Sequence, residues 1–267
     1  MTTTQDQQRL IDGIQALLEA EPDVEAAWLA GSLGSGSGDA FSDIDVLVLA
    51  RGSTADQVCS TLAGKLNRVV EPVLINRRPG RDVLSVITED WARFDLSVIE
   101  ISDLPRYDAR RLKCLFNRGE HTPPHQSDAP YRISPDHLST LVTEFLRVLG
   151  LAAVVVGRGE YVVALSGVGL LREMTVELML EESEVPLWKR GGALRRNPLL
   201  TAEQRQALEA LPPLRADRDS VVGGHTALAA LFLPRARRLA ARIEAAWPEA
   251  LEAATRRTLE ARLGVWF

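Results

Sequence analysis

Residues 31-GSLGSGSGDAFSDIDVLV-48 join a loop crowded with glycine and serine to an apolar run that carries two aspartates, Asp43 and Asp45. In a strand, side chains two residues apart leave the same face. Asp43 and Asp45 therefore project together, while Ile44 and Val46 anchor the opposite face in a core. Two carboxylates held that close repel one another, and burying either without a partner is costly. A divalent cation is the simplest compensation. Mg²⁺ is a hard ion that takes one or two protein carboxylates alongside phosphate oxygens. The competing reading of the dipeptide alone is a strand end at the surface, solvated or paired with one of the many arginines.

The preceding loop bears on that choice. Gly31-Ser32 closes the apolar run 24-VEAAWLAG-31 and opens a short helix or turn. There glycine permits close backbone approach, and exposed N–H groups with the Ser32 hydroxyl can receive a phosphate. The loop has no GK[ST], so it is not a P-loop. Gly34-x-Gly36-x-Gly38 also lacks the spacing and the following helix of a dinucleotide fingerprint. For these three glycines a surface loop or hairpin tip is a sufficient reading.

Outward from this stretch, the first ~120 residues alternate helix and strand patterns. An amphipathic helix is expected over 5–20, with Leu10, Ile11, Ile14, Leu17 and Leu18 on one face. Ser53 and Thr54 can cap a helix reaching Asn67. Strand-like runs follow at 69-VVEPVLI-75, 82-DVLSVIT-88 and 93-RFDLSVIE-100, with 112-LKCLF-116 a candidate edge strand. Residues 119-GEHTPPHQSDAP-130 are a proline-rich breaker and the best linker candidate.

Beyond the linker the periodicity is helical, with segments expected near 134–156, 160–184, 201–211, 220–246 and 248–263. Ser134-Pro135 is an N-cap followed by proline at the first helical position. Thr201 and Gln204 have capping-box spacing, and Pro234 should kink the fourth helix. The apolar stretch 149–171 is broken by Arg158 and Glu160, which favours a helical pair over a membrane span. The expected fold is α+β: an N-terminal mixed sheet with flanking helices over 1–120, and a C-terminal helical bundle over 131–267.

The bulk numbers exclude several classes. The chain's 267 residues, 46% of them hydrophobic, suffice for one large domain or two modest ones, and the net charge of −5 gives no basic nucleic-acid footprint. Cys59 and Cys114 match neither a CxxC motif nor a zinc pattern. The polar start MTTTQDQQRL carries no signal-peptide core, so a reducing, cytoplasmic location is expected, with no membrane partner.

Gly-Ser, ten residues, then Asp-x-Asp between apolar residues resembles the signature of the DNA polymerase β-like nucleotidyltransferase superfamily. Ala30-Gly31-Ser32 and Asp43-Ile44-Asp45-Val46 fill its slots. The family also carries a third carboxylate on a later, adjacent strand. Asp95 matches that description, with Phe94 and Leu96 facing the core. The SDIDVLV wording, the segment 86-VITEDWARFDL-96 and the helical tail look most like the lincosamide and aminoglycoside nucleotidyltransferases. The motifs of this resemblance fall within residues 20–120; over the helical half it is one of size and pattern.

The resemblance implies transfer of a nucleoside monophosphate, AMP from ATP or its equivalent from another NTP, to a hydroxyl of a small antibiotic-like acceptor, with pyrophosphate released. It implies Mg²⁺, two ions in such sites, held by Asp43, Asp45 and Asp95, with Asp95 a ligand, a general base or both. Gly31, Ser32 and Ser42 would hold the nucleotide. In the helical half, Glu173, Glu177 and Glu181 fall on one stripe that could hold a cationic acceptor, with Glu177 a second base candidate. A solvated acidic face explains the same stripe. His121 and His125 are separated by Pro123 and Pro124 and read as loop residues. Arg218 and His225 have a spacing found in HEPN-type ribonucleases, a weak match. Two other readings stay open: a nucleotidyltransferase that modifies protein or RNA, and a silent nucleotide-binding regulator. The oligomeric state is not legible, and a homodimer is compatible.

Overall fold

The computed structural model describes residues 4–77, 82–125, 130–190 and 195–265. Contacts divide the chain into two units, Met1–Asp128 and Ala129–Phe267. Residues 126–129 of the expected linker lie outside the described residues.

The first unit begins with α1 (Gln5–Glu19), started by a capping box between Thr4 and Gln7. Strand β1 (Val24–Leu29) leads to a one-turn helix, α2 (Gly31–Gly34), and then to β2 (Ile44–Ala50). Helix α3 covers Ala55–Ala63, shorter than the expected reach to Asn67. The chain stops being α-helical at Gly64 and adds a 3₁₀ turn over Leu66–Arg68. Strands β3 (Pro72–Arg77), β4 (Val83–Thr88), β5 (Arg93–Ile99) and β6 (Lys113–Asn117) complete a six-stranded sheet in the order β3-β4-β5-β2-β1-β6. Among the described residues only the β2–β5 pairing is parallel, which makes the sheet mixed. The short run near 112–116 does become an edge strand, beside β1.

Alternation decides what each face of the sheet does. Ile44, Val46, Val48, Phe94, Leu96, Leu84 and Val86 join Ile11, Ile14, Leu18, Val58 and Leu62 of α1 and α3 in one core. Each such side chain, fully buried, contributes about 1.5–3 kcal/mol. The other face carries Leu47, Leu49 and Ile99, packed with Trp28 and Leu104. Leu104 belongs to a 3₁₀ stretch, Ile101–Arg106, that the sequence pattern did not reveal. That apolar cover begins at Leu47, one strand repeat beyond Asp45. The acid end of this face is left polar.

The second unit is helical: α4 (Pro135–Gly157), α5 (Tyr161–Glu182), α6 (Ala202–Glu209), α7 (Arg218–Ile243) and α8 (Glu249–Leu263). Ser134 caps α4 and the Thr201–Gln204 capping box starts α6, both as the spacing indicated. α4 packs against α5, α7 and α8, and Phe145 stacks on Phe232 within that core. α7 runs continuously through Pro234. The turn at Arg158–Glu160 separates α4 from α5, as the two charges implied. α4 is long and apolar enough to cross a membrane by length and composition, and its apolar positions Leu138, Phe145, Leu149 and Ala152 are core residues of this unit.

Candidate active site

Parallel pairing sets Asp45 of β2 directly beside Asp95 of β5. Register partners leave the same face of a sheet, so the two carboxylates stand side by side. Asp43 is exposed and lies one residue ahead of β2, at the next position on that face. The three acids singled out by the sequence therefore occupy one patch.

The geometry around Asp45 accounts for Gly31. Gly31 has φ +56°, and a Cβ added there would lie 1.9 Å from Asp45 Oδ2. Glycine is required twice over, for the left-handed backbone and for the approach of the carboxylate. The Ala30 N–H donates to the Asp45 carbonyl at 2.8 Å, which pins the start of α2 to β2. Gly34 has a packing role as well: a Cβ there would meet the Leu29 and Arg111 carbonyl oxygens at 2.4 Å. The loop-tip reading is thus corrected for Gly34, which is pressed between β1 and a neighbouring turn. It fits Gly36, whose φ is +73° with open space around it.

Ser32 sits in the first turn of α2, where amides have no carbonyl four residues back to bond. Its own carbonyl accepts from the Ser37 N–H at 2.8 Å, which folds the loop over the helix start. Ser42 is placed differently. Its hydroxyl accepts from the Asp39 N–H at 2.9 Å and donates to Asp39 Oδ1 at 3.2 Å, so it staples its own loop. Gln7 Nε2 donates to the Asp39 and Ser42 carbonyls, both at 3.0 Å, so the glutamine of the α1 capping box also fixes the approach to Asp43.

Asp95 is aimed by the hairpin before it. The Ala92 N–H donates to Thr88 Oγ1 at 2.9 Å, and the Thr88 hydroxyl also bonds Asp90. This turn sets where β5 begins and hence which residue meets Asp45. Arg93, two residues before Asp95, donates from its guanidinium to the Phe41 carbonyl at 3.1 Å.

Electrostatics confirm the crowding. Burial first, then the charges of Asp43 and Asp95, push the Asp45 carboxyl up to about 6. Among the described residues no cationic side chain pairs with Asp43 or Asp45. A half-buried carboxylate with two like-charged neighbours, backed by a glycine that leaves room for it, fits a divalent cation with hard oxygen ligands. A cavity of about 1020 Å³ opens nearby, lined by Leu10, Phe41, Ile44, Val70, Trp91 and Arg93 among others. None of the three acids lines it. Size alone points to that cavity, whereas the three carboxylates lie outside its lining.

The acidic stripe of α5 already has partners within the second unit. Glu173 pairs with Arg196 Nη1 at 3.1 Å, and Glu177 lies 3.2 Å from His137 Nε2. Glu181, completely buried, accepts from Tyr131 Oη at 2.9 Å and from Arg190 Nη2 at 2.7 Å. Neither the burial of Glu181 nor its partners could be read from the helical spacing. His225 is a core residue whose Nδ1 lies 2.7 Å from the Val221 carbonyl, and burial lowers its pKa. That placement corrects the ribonuclease-like reading of Arg218 and His225. Trp188 is half exposed beside Lys189.

No protein-family model matches the chain, and no curated protein matches it. Solved structures of similar path exist. An aminoglycoside 6-adenyltransferase from Bacillus subtilis is 14% identical, with 94% of this chain and 95% of that chain covered and a TM-score of 0.43. A nucleotidyltransferase-like protein from Exiguobacterium sibiricum is 15% identical over 96% and 88%, with a TM-score of 0.36. A STING-associated CdnE c-di-GMP synthase from Capnocytophaga granulosa is 13% identical over 89% and 80%, with a TM-score of 0.33. At these values the chemistry has to be read from the site's own residues.

Proposed function

We propose that the chain is a nucleotidyltransferase that uses Mg²⁺ to transfer a nucleoside monophosphate, AMP from ATP in the first instance, to a hydroxyl of a small acceptor. One observation carries the reading: Asp43, Asp45 and Asp95 converge on one face, and burial, reinforced by the charges of Asp43 and Asp95, raises the Asp45 carboxyl to about 6. Such an arrangement is unfavourable for the protein alone and favourable once positive charge arrives.

Asp43, Asp45 and Asp95 would hold the ion. When bound, it would neutralise phosphate charge and favour the ionised form of the attacking oxygen. Nucleotidyl transfer is governed by positioning and by electrostatic neutralisation, and the chain's own groups supply the first. The first-turn amides of α2 and the Ser32 hydroxyl, with no hydrogen-bond partner of its own among the described residues, would bind phosphate oxygens. Gly31 keeps the backbone clear of Asp45 so that both can face the same nucleotide. Asp95, in register with Asp45, would orient the acceptor hydroxyl or accept its proton.

An antibiotic of the lincosamide or aminoglycoside type is the acceptor class the sequence motifs suggest. The test is pyrophosphate release with Mg²⁺ and each NTP across lincosamides, aminoglycosides and unrelated hydroxyl compounds. Release that depends on one small acceptor is the expected result. Label from the nucleotide appearing on protein or RNA would replace the acceptor class. No release with any NTP would overturn the activity.

A further inference from the structure

One register row crosses four strands of the first unit: Asn76 on β3, Ser85 on β4, Asp95 on β5 and Asp45 on β2. Register partners share a face, so Ser85 points to the acid side, directly beside Asp95. Its Oγ is buried and has no hydrogen-bond partner; among the described residues the same holds of one other side-chain atom, Nε of Arg196. A buried hydroxyl in that condition has lost its water and gained nothing, and such groups in folded proteins call for an explanation. The rest of β4 is Val83, Leu84, Val86, Ile87 and Thr88. Alanine or valine at position 85 would suit this strand without the desolvation penalty.

We propose that Ser85 is a positioning residue for the ion-binding carboxylates. With a divalent ion bound, the Ser85 hydroxyl donates to the Asp95 oxygen turned away from the ion and fixes which oxygen faces it. Carboxylates that ligate metals are themselves commonly held by such outer hydrogen bonds, and loss of one weakens metal affinity by roughly 10–100-fold. The orphaned hydroxyl is then a donor held ready for the loaded site. This inference rests on the ion-binding part of the proposed function and is independent of which acceptor is used.

The experiment is titration of the full chain with Mn²⁺ alone, a cation suited to the same oxygen ligands, with free ion read by electron paramagnetic resonance. Wild type, Ser85→Ala and Ser85→Thr are compared, and each is melted without metal. Ser85→Ala is expected to bind Mn²⁺ roughly tenfold more weakly while its ion-free Tm stays the same or rises. A merely structural serine would not produce that opposition. Ser85→Thr keeps the hydroxyl and is expected to recover most of the affinity. Unchanged Mn²⁺ affinity in Ser85→Ala overturns the role of Ser85 and leaves the proposed function standing, as does a loss shared by both variants with a lowered Tm. A wild-type chain that binds no Mn²⁺ overturns both.

Discussion

At the start of β2 and in β5 of the first unit, Asp43, Asp45 and Asp95 share one face; on α5 of the second, Glu173 and Glu181 each face an arginine and Glu177 faces His137. Both sets follow from periodicity, two residues apart on a strand and four apart on a helix. Their electrostatics differ in kind. Arg196 and Arg190 pair with Glu173 and Glu181, Glu177 lies beside His137, and Glu181 can be wholly buried because Arg190 and Tyr131 satisfy it. No cationic side chain pairs with Asp43 or Asp45 among the described residues, and Asp45 is pushed toward its neutral form. An acidic cluster supplied with its own cations is architecture. Under the proposed function, Asp43 and Asp45 take their cation from solution.

The largest expected effect is on the strand acids. Asp43→Asn or Asp45→Asn should lower Mg²⁺-dependent turnover by roughly a thousandfold, since charge stabilisation by a bound ion is worth several kcal/mol. Circular dichroism should show the fold unchanged. Near-wild-type rates in either variant would erase the distinction between the two regions.

On the helical side, Arg190→Ala should cost about 3 kcal/mol in urea unfolding, because it leaves the buried Glu181 carboxylate without its cation. A cost below about 1 kcal/mol would mean that Tyr131 and His137 suffice. Gly31→Ala should destabilise by about 2 kcal/mol through its left-handed backbone and clash with Asp45, with turnover lost alongside.

A pH titration sharpens the contrast. Asp45 has a folded pKa of about 6 against an ordinary value of 3.8, so the folded state holds its proton more tightly than the unfolded chain. That contribution is fully present below about pH 4 and is lost as pH rises through about 6, on the order of 1–2 kcal/mol in the ion-free protein. Mg²⁺ should restore stability above pH 6, and Asp45→Asn should flatten the profile. The smallest effect belongs to Glu173→Gln. Glu173 is 65% exposed in its pair with Arg196, so stability should move by less than about 0.5 kcal/mol.

The strand acids were legible because their signal is local. Asp43 and Asp45 break an apolar run at a spacing of two, and Asp95 repeats the device between Phe94 and Leu96. Gly31 was legible as a place of close approach, though its partner, the Asp45 carboxylate, was not. What remained hidden depends on pairing between distant segments. Ser85 becomes a neighbour of Asp95 only through the β4–β5 register, and Gly34 is tight in part because the distant Arg111 comes to rest on it. Nothing along α5 distinguishes Glu181 from Glu173; the difference is supplied by Tyr131 and Arg190. Ser42 sat in the right motif, yet Asp39 claims its hydroxyl.

Isothermal titration of Mg²⁺ into the protein with a non-hydrolysable ATP analogue, at pH 5 and pH 7.5, tests the convergence of the three carboxylates most directly. Binding that tightens with pH, releases protons and disappears in Asp45→Asn is the expected result. Equal Mg²⁺ affinity in wild type and Asp45→Asn at both pH values would contradict it.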